Sequence, residues 1–303
     1  MRILIVGATG FIGRRLVSAI ELQRHLPIAW VRSPVRARRV LGSGPTIVSS
    51  ADGDAALVSE LSRCDAVVNL AGEPIVRRWT PARRAAIVAS RVDLTTRLVQ
   101  ACAAASPRPR VLVSGSGVGY YGDRGDEVLT EQSPPGTDFL SQLATDWEAA
   151  AMDAVSLGMR VVTVRTGIVL GAGGGALAQM RPAFALGLGG PMGSGRQYLA
   201  WIHMEDHVSI VLSALADDRY QGPVNAVGPE AVTNGQFARA LGRAMHRPAV
   251  VPVPAFALEL LFGEASVTML SSQRARPARL EELGFQFAFP TVASALDDAV
   301  RRR

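Results

Sequence analysis

The segment 113–123, VSGSGVGYYGD, carries Ser114, Ser116, Tyr120 and Tyr121 among four glycines, directly after an apolar run. A strand, a small polar loop and then a tyrosine is an arrangement that can orient a substrate oxygen and pass it a proton. An unperturbed phenol titrates near ~10, so proton transfer at neutrality requires something to bring it down. A neighbouring lysine is the usual device, and here none exists: all 32 basic side chains are arginine. A fixed positive charge held beside the phenol could serve instead, by Coulomb attraction. One of Tyr120 and Tyr121 is therefore the candidate proton-handling group.

A second constellation stands at the N-terminus. Gly7-Ala8-Thr9-Gly10-Phe11-Ile12-Gly13 follows the apolar run 3–6 and opens a helical pattern. Glycines at such a strand-to-helix turn let the backbone approach a pyrophosphate, and the helix end offers free amides. An NAD site places a carboxylate at the end of the second strand, roughly 20 residues on. Here that strand ends Trp30-Val31-Arg32-Ser33, with Arg36, Arg38 and Arg39 behind it. Arginine matches phosphate geometry, so NADP(H) is favoured over NAD(H). Leu70, Ala71 and Gly72 end the fourth strand and would pass close to the cofactor. Asp52, after the third, could face the adenine.

Further candidates line a substrate cleft. Glu73 and Arg78 follow the fourth strand, where loops face the ligand crevice. In GSGRQYLAWIHMEDH, Arg196 could clamp an anionic group, with Tyr198, Trp201 and His203 lining the cleft. His203 and His207 are four apart but lack the His-Glu-x-x-His pattern, so no metal is expected. Asp206 is placed as the cap of a helix starting near 204.

The elements that must position these groups alternate. Apolar runs at 3–6, 28–31, 46–48, 66–70, 111–113 and 161–164 are separated by helical patterns at 12–23, 55–63, 82–105 and 140–157. That order predicts an α/β, Rossmann-type, doubly wound parallel sheet of six or seven strands. The dinucleotide-binding domain is set at 1–170, its sheet open to recruiting segments near 200–227. A smaller, mostly helical substrate lobe is set at 171–303, with a C-terminal helical segment at about 253–301. Helices are expected at 204–216, 234–245, 255–262 and 274–283. Residues 170–197, glycine-rich, read as an irregular seam, and a crevice between the lobes is the default ligand site.

Bulk properties narrow the class. The 303 residues carry 48% hydrophobic and 19% charged side chains and a net charge of +6. The arginines are scattered rather than clustered, which argues against nucleic acid. No apolar stretch reaches membrane-span length, and the N-terminus lacks signal-peptide features. Cys64 and Cys102 have no metal or disulfide spacing. A cytoplasmic chain with a small-molecule, possibly anionic, substrate is expected. First-lobe helices could pair into a homodimer.

These residues resemble the extended short-chain dehydrogenase/reductase family. More closely, the chain is similar to an epimerase-like subgroup of YfcH type, some of whose members carry a cell-division inhibitor label. The resemblance rests on GxxGxxG at 7–13, NLAGEPI at 69–75, SGSGVGYYGD at 114–123, Trp147-Glu148, RTGIVL at 165–170 and QRARPARLEELGF at 273–285. It implies a doubly wound fold, an NADP-type cofactor, and Ser116 as the hydroxyl that orients a substrate oxygen. The chain departs from the family at its Tyr-x-x-x-Lys dyad, where Phe139 and Leu143 stand. Two functions follow: an NADP(H)-dependent epimerase- or reductase-like oxidoreductase acting on a carbonyl or sugar-nucleotide-like substrate, or a non-catalytic NADP(H)-binding sensor.

Overall fold

The computed structural model describes residues 1–302. The first half alternates as expected: β1 (Arg2–Val6), α1 (Phe11–Leu22), β2 (Leu26–Val31), α2 (Pro34–Leu41), β3 (Thr46–Ser49), α3 (Gly53–Leu61), β4 (Ala66–Asn69), α4 (Pro81–Val88), α5 (Leu94–Ala104) and β5 (Val111–Gly117). After it come β6 (Val128–Leu129), α6 (Phe139–Met152), β7 (Arg160–Thr166), β8 (Ile168–Leu170), α7 (Gly175–Ala185), β9 (Tyr198–Leu199), β10 (Trp201–His203), α8 (Met204–Ala216) and β11 (Gly222–Ala226). The chain closes with β12 (Val232–Thr233), α9 (Asn234–Ala244), α10 (Ala255–Phe262), α11 (Val267–Leu270), β13 (Arg274–Ala275), α12 (Ala278–Glu282) and α13 (Val292–Arg301).

Seven strands form one parallel sheet in the order β11-β7-β5-β4-β1-β2-β3. Strands such as Ile3–Val6 and Ala66–Val68 are apolar on both faces because helices cover both faces. One layer packs Leu16, Ile20, Val208 and Val211 of α1 and α8 on Ile3, Ile5, Val113 and Val164. The other packs Leu57, Leu61, Leu98 and Cys102 of α3 and α5 on Leu4, Val67 and Leu112. Strand order reverses between β1 and β4, and the loops beyond the carboxyl ends of β1, β2, β4, β5 and β7 share one edge.

The sheet does not end at residue 170: β11 pairs with β7, and α8 lies on the sheet face. The remaining lobe has its own core, in which Phe237 and Leu241 of α9 meet Leu296 of α13, Phe184 of α7 and Trp201. Three expectations are corrected. The glycine-rich seam contains a helix, α7, started by Gly174 and Gly175. The helix expected at 274–283 is a short strand, β13, paired with β6, followed by one helical turn; Pro277 separates them, since a residue before proline is pushed out of the helical region. The long helix expected at 82–105 is interrupted at Ala89–Asp93 by a π-type turn. Among the described residues, no helix is long and apolar enough to cross a membrane.

Candidate functional site

The glycine loop has the geometry a dinucleotide requires. Gly7 takes φ +84°, and a Cβ there would lie 2.7 Å from the Leu70 carbonyl carbon. The backbone of the Leu70–Ala71 turn thus passes directly beside the loop, and Leu70 N donates to the Val6 carbonyl at 2.9 Å. A Cβ on Gly13 would collide with the Gly7 carbonyl and Ala8, so only glycine lets α1 approach the strand this closely. α1 starts after Gly10, with no side-chain cap and no acidic residue in its first turn, so its leading amides stay free. Thr9 and Ile12 flank the loop half-buried, and the Phe11 ring lies against the backbone of Gly171, Gly174 and Gly175.

At the end of β2, the Arg32 side chain is exposed and its Nη1 stands 3.6 Å from a Glu73 carboxylate oxygen. An exposed, loose pair of this kind contributes ~0–1 kcal/mol. Ser33 caps α2, its hydroxyl accepting from Arg36 N at 3.4 Å. Asn69, buried at the end of β4, donates to Thr95 Oγ1 at 2.8 Å and accepts from Ala71 N at 3.3 Å, fixing the turn into Gly72.

The serine-tyrosine loop leaves β5, which is separated from β2 by β4 and β1. Ser116 sits opposite Arg165 in the β5–β7 register. Its hydroxyl donates to Glu148 Oε1 at 2.6 Å, and Arg165 holds both Glu148 oxygens at 2.8 Å. Arg165 also donates to the Tyr121 hydroxyl at 3.1 Å, and the Tyr121 hydroxyl donates to Asn225 Oδ1 at 2.6 Å. Burial pushes the Tyr121 phenol up to about 12, even though Arg165 pulls it the other way. Tyr121 therefore belongs to the core, a correction to its candidacy as a proton carrier. Tyr120 is only half-buried, and its ring centre lies 3.5 Å from the Arg165 guanidinium carbon.

Phe139 and Leu143, which the resemblance sets at the dyad positions, have no proton-transfer group. Phe139 meets the Trp79 ring edge-on at 4.9 Å under the Arg84 guanidinium, and Leu143 is buried. Ser141, between them, donates to the Gly119 carbonyl at 3.0 Å and ties α6 to the serine-tyrosine loop.

The substrate-side candidates separate. Tyr198 reaches the same loop: its amide donates to Ser272 Oγ, and Ser272 N donates to Asp123. Arg196 is exposed on the turn before it. Arg78 is exposed and donates to the Leu260 carbonyl of α10 at 3.3 Å. Trp201 and His203 do not line the cleft. Trp201 is 1% exposed, with its indole N–H on the Glu230 carbonyl. His203 is 2% exposed, stacked on Phe289, with Nε2 3.2 Å from Asp298 and Nδ1 capping α8. That cap displaces Asp206, whose carboxylate instead accepts from Ala288 N and Phe289 N. Among the described residues no three potential metal-ligand side chains converge.

Sequence reasoning missed Glu148, Arg165 and Asn225, the groups that fix Ser116 and Tyr121. They lie on α6, β7 and β11, and only the β5–β7–β11 pairing, with α6 packed against it, brings them together.

Comparison with known proteins agrees with this geometry. Residues 3–228 match the family model "NAD dependent epimerase/dehydratase family", and residues 253–299 match a domain of unknown function, DUF1731. The chain belongs to the NAD dependent epimerase/dehydratase family. It is 40% identical to the chloroplastic epimerase family protein SDR39U1 homolog of Arabidopsis thaliana, over 98% of this chain and 86% of that one. It is 41% identical to an epimerase family protein of Mycobacterium bovis, over 98% and 97%. The crystal structure of human epimerase family protein SDR39U1 with NADPH superposes with a TM-score of 0.89, at 36% identity and 100% coverage of both chains. Family membership accounts for the order of the sheet and the glycine loop. With no lysine anywhere, the chain cannot carry a Tyr-x-x-x-Lys dyad.

Proposed function

We propose that this chain is an NADP(H)-dependent, epimerase- or reductase-like oxidoreductase acting on a small carbonyl or sugar-nucleotide-like substrate. The observation that carries the reading is the cradle itself. Gly7 and Gly13 leave room that any side chain would fill, beside Leu70–Gly72, and β2 ends in an exposed Arg32 where NAD sites place a carboxylate. Gly7, Gly10 and Gly13 would hold the pyrophosphate at the α1 amides, and Arg32 with Ser33 the 2′-phosphate. The human relative's crystal structure with NADPH supports the same assignment. A nicotinamide bound there supplies hydride transfer.

The chain's own residues then handle orientation and the proton. Ser116, its proton committed to Glu148, presents lone pairs that accept from a substrate hydroxyl. Tyr120 is the phenol left to exchange a proton. Arg165 lies across its ring face and helps hold it at the loop edge. Arg196 and Tyr198 stand at the substrate side. Two buried, unjoined thiols fit a reducing cytoplasm. The second reading, a non-catalytic NADP(H) sensor, draws on Leu143 and the core-bound Tyr121.

Titration with NADPH and NADH, followed by nicotinamide fluorescence, tests the reading. A charge-assisted contact is worth about 1.5–3 kcal/mol, so Arg32→Ala should weaken NADPH binding roughly 10- to 150-fold and leave NADH almost unchanged. Failure of the wild-type protein to bind either nucleotide would overturn both readings. Tight NADPH binding without turnover across a carbonyl and nucleotide-sugar panel would favour the sensor.

A further inference from the structure

The helix after the β4 loop does not run straight. Between α4 and α5, residues Ala89–Asp93 widen into a π-type turn. Such turns are rare and recur at functional sites, where they re-aim a side chain. Here the turn aims Arg91. Its guanidinium lies against Gly72, so close that a Cβ on that glycine would sit 2.8 Å from its central carbon. It also rests on the Trp147 ring, 5.3 Å from the centroid. Gly72 itself is exposed, so the guanidinium stands at the mouth of the cleft rather than in the core.

All of its partners are neutral. It donates to the Glu73 carbonyl at 3.0 Å, and to the Ile87 carbonyl and the Ser90 hydroxyl at 3.4 Å. Among the described residues it has no carboxylate partner, and the Glu73 carboxylate turns to Arg32 instead. Arg165, buried nearby, is by contrast gripped by Glu148 on two nitrogens. A half-buried cation without a counter-ion is unfavourable, and an anion placed beside it relieves that cost. Desolvation accordingly pulls the Arg91 pKa down to about 10, with Glu73 partly opposing.

Its position in the sheet selects the ligand. Trp147 lies on α6, one turn after Leu143 on the same face, and its ring lies under Gly115 of β5. Arg91 is thus on the β4–β5 side, with Ser116 and Tyr120. Arg32, at β2, lies beyond β1 on the other side. The 2′-phosphate would be held there, at Arg32, whereas the Arg91 guanidinium faces Gly72 and the Trp147 ring.

Resting on the reading of this crevice as a dinucleotide site with a substrate half, we infer that Arg91 is a substrate-anion site, its guanidinium at Gly72 taking a carboxylate or phosphate group of the substrate.

The test uses the full chain saturated with NADP⁺ in phosphate-free buffer. Oxalate and, separately, orthophosphate are titrated while tryptophan emission is followed, because the Trp147 ring reports on the guanidinium above it. At least one dianion should bind saturably, and the tighter one identifies the class. Arg91→Met should weaken it at least tenfold, Arg91→Lys by less, and both should keep NADPH affinity within twofold. Trp147→Phe should remove the optical signal while calorimetry still detects binding. Wild-type affinity for the dianion in Arg91→Met overturns the inference, as does absence of dianion binding to the NADP⁺-loaded protein. An equal loss of NADPH affinity overturns it too, by placing Arg91 with the cofactor. If the methionine variant does not fold, Arg91→Lys carries the same comparison. A wild-type protein that binds no NADPH sinks the earlier reading instead, and is distinguished at the first titration.

Discussion

Glu148→Gln isolates one charge at the centre of the network. The substitution keeps the shape and still offers Ser116 an acceptor, but leaves Arg165, 3% exposed, without its counter-ion. Removing one member of a buried ion pair costs about 3–5 kcal/mol. The unfolding entropy of roughly 2.1 cal/mol/K per residue gives about 0.6 kcal/mol/K for a chain of 303 residues, so Tm should fall by roughly 5–8 °C. Differential scanning calorimetry measures this directly. The double variant with Arg165→Met, which removes both charges, should be at least ~1 kcal/mol more stable than additivity predicts. A fall below ~1.5 °C, about 1 kcal/mol on the same scale, or a strictly additive cycle, would falsify the claim that this pair is desolvated and mutually dependent.

The two tyrosines should behave oppositely. Tyr121→Phe strands Asn225 and Arg165 and should cost about 1–3 kcal/mol in a urea titration. Tyr120→Phe should stay within ~0.5 kcal/mol of wild type yet abolish turnover of any carbonyl substrate found; retained turnover removes Tyr120 from the mechanism. Gly13→Ala drives a Cβ into the Gly7 carbonyl and should cost roughly 1–3 kcal/mol, together with at least ~10-fold in NADPH affinity. Unchanged affinity would mean that the loop is not the cradle. His207, fully buried with Nε2 3.0 Å from Thr166 Oγ1, has its pKa pushed by burial down to about 4. The unfolded state then binds the extra proton, so this contribution is complete above pH 6.5 and is lost as pH falls toward 4. Wild type should lose up to ~3 kcal/mol more than His207→Gln over that window, measured by urea midpoints at stepped pH. Glu131 and Asp206, whose pKa values burial raises, contribute with the opposite sign in both proteins and drop out of the difference. Equal slopes would mean that His207 is not desolvated.

What the sequence disclosed depended on the range of the interactions involved. The cofactor loop was legible because its geometry is set within seven residues by Gly7 and Gly13, and Arg32 because strand ends can be counted from the apolar runs. Trp201 and His203 were misplaced because an aromatic-polar run reads alike on a cleft wall or in a core. Their burial is decided by α9 and α13, some 30 to 100 residues away. Tyr120 and Tyr121 are indistinguishable by composition. Only Asn225, brought beside Tyr121 when β11 joins β7, makes one a core residue and leaves the other at the edge. The π-type turn left no mark either, because a helix with one widened turn keeps nearly the same apolar period.

The absence of lysine constrains any chemistry this site performs. Arginine stays protonated in proteins, so Arg32 and Arg165 are fixed charges at neutral pH. Arg91, even at about 10, remains a cation there. None of the three can deliver or accept a proton during turnover, and each can only hold an anion or steady one. A lysine in the dyad couples both tasks in one side chain. On the proposed function they would be divided: the charges sit on the π-type turn before α5 and on β7, and a mobile proton would be left to the hydroxyls of Ser116 and Tyr120. Ser116 already spends its proton on Glu148, whose own charge is matched by Arg165. Of the two hydroxyls, Tyr120 alone has its proton uncommitted, and its variant is therefore the most direct discriminator between enzyme and sensor.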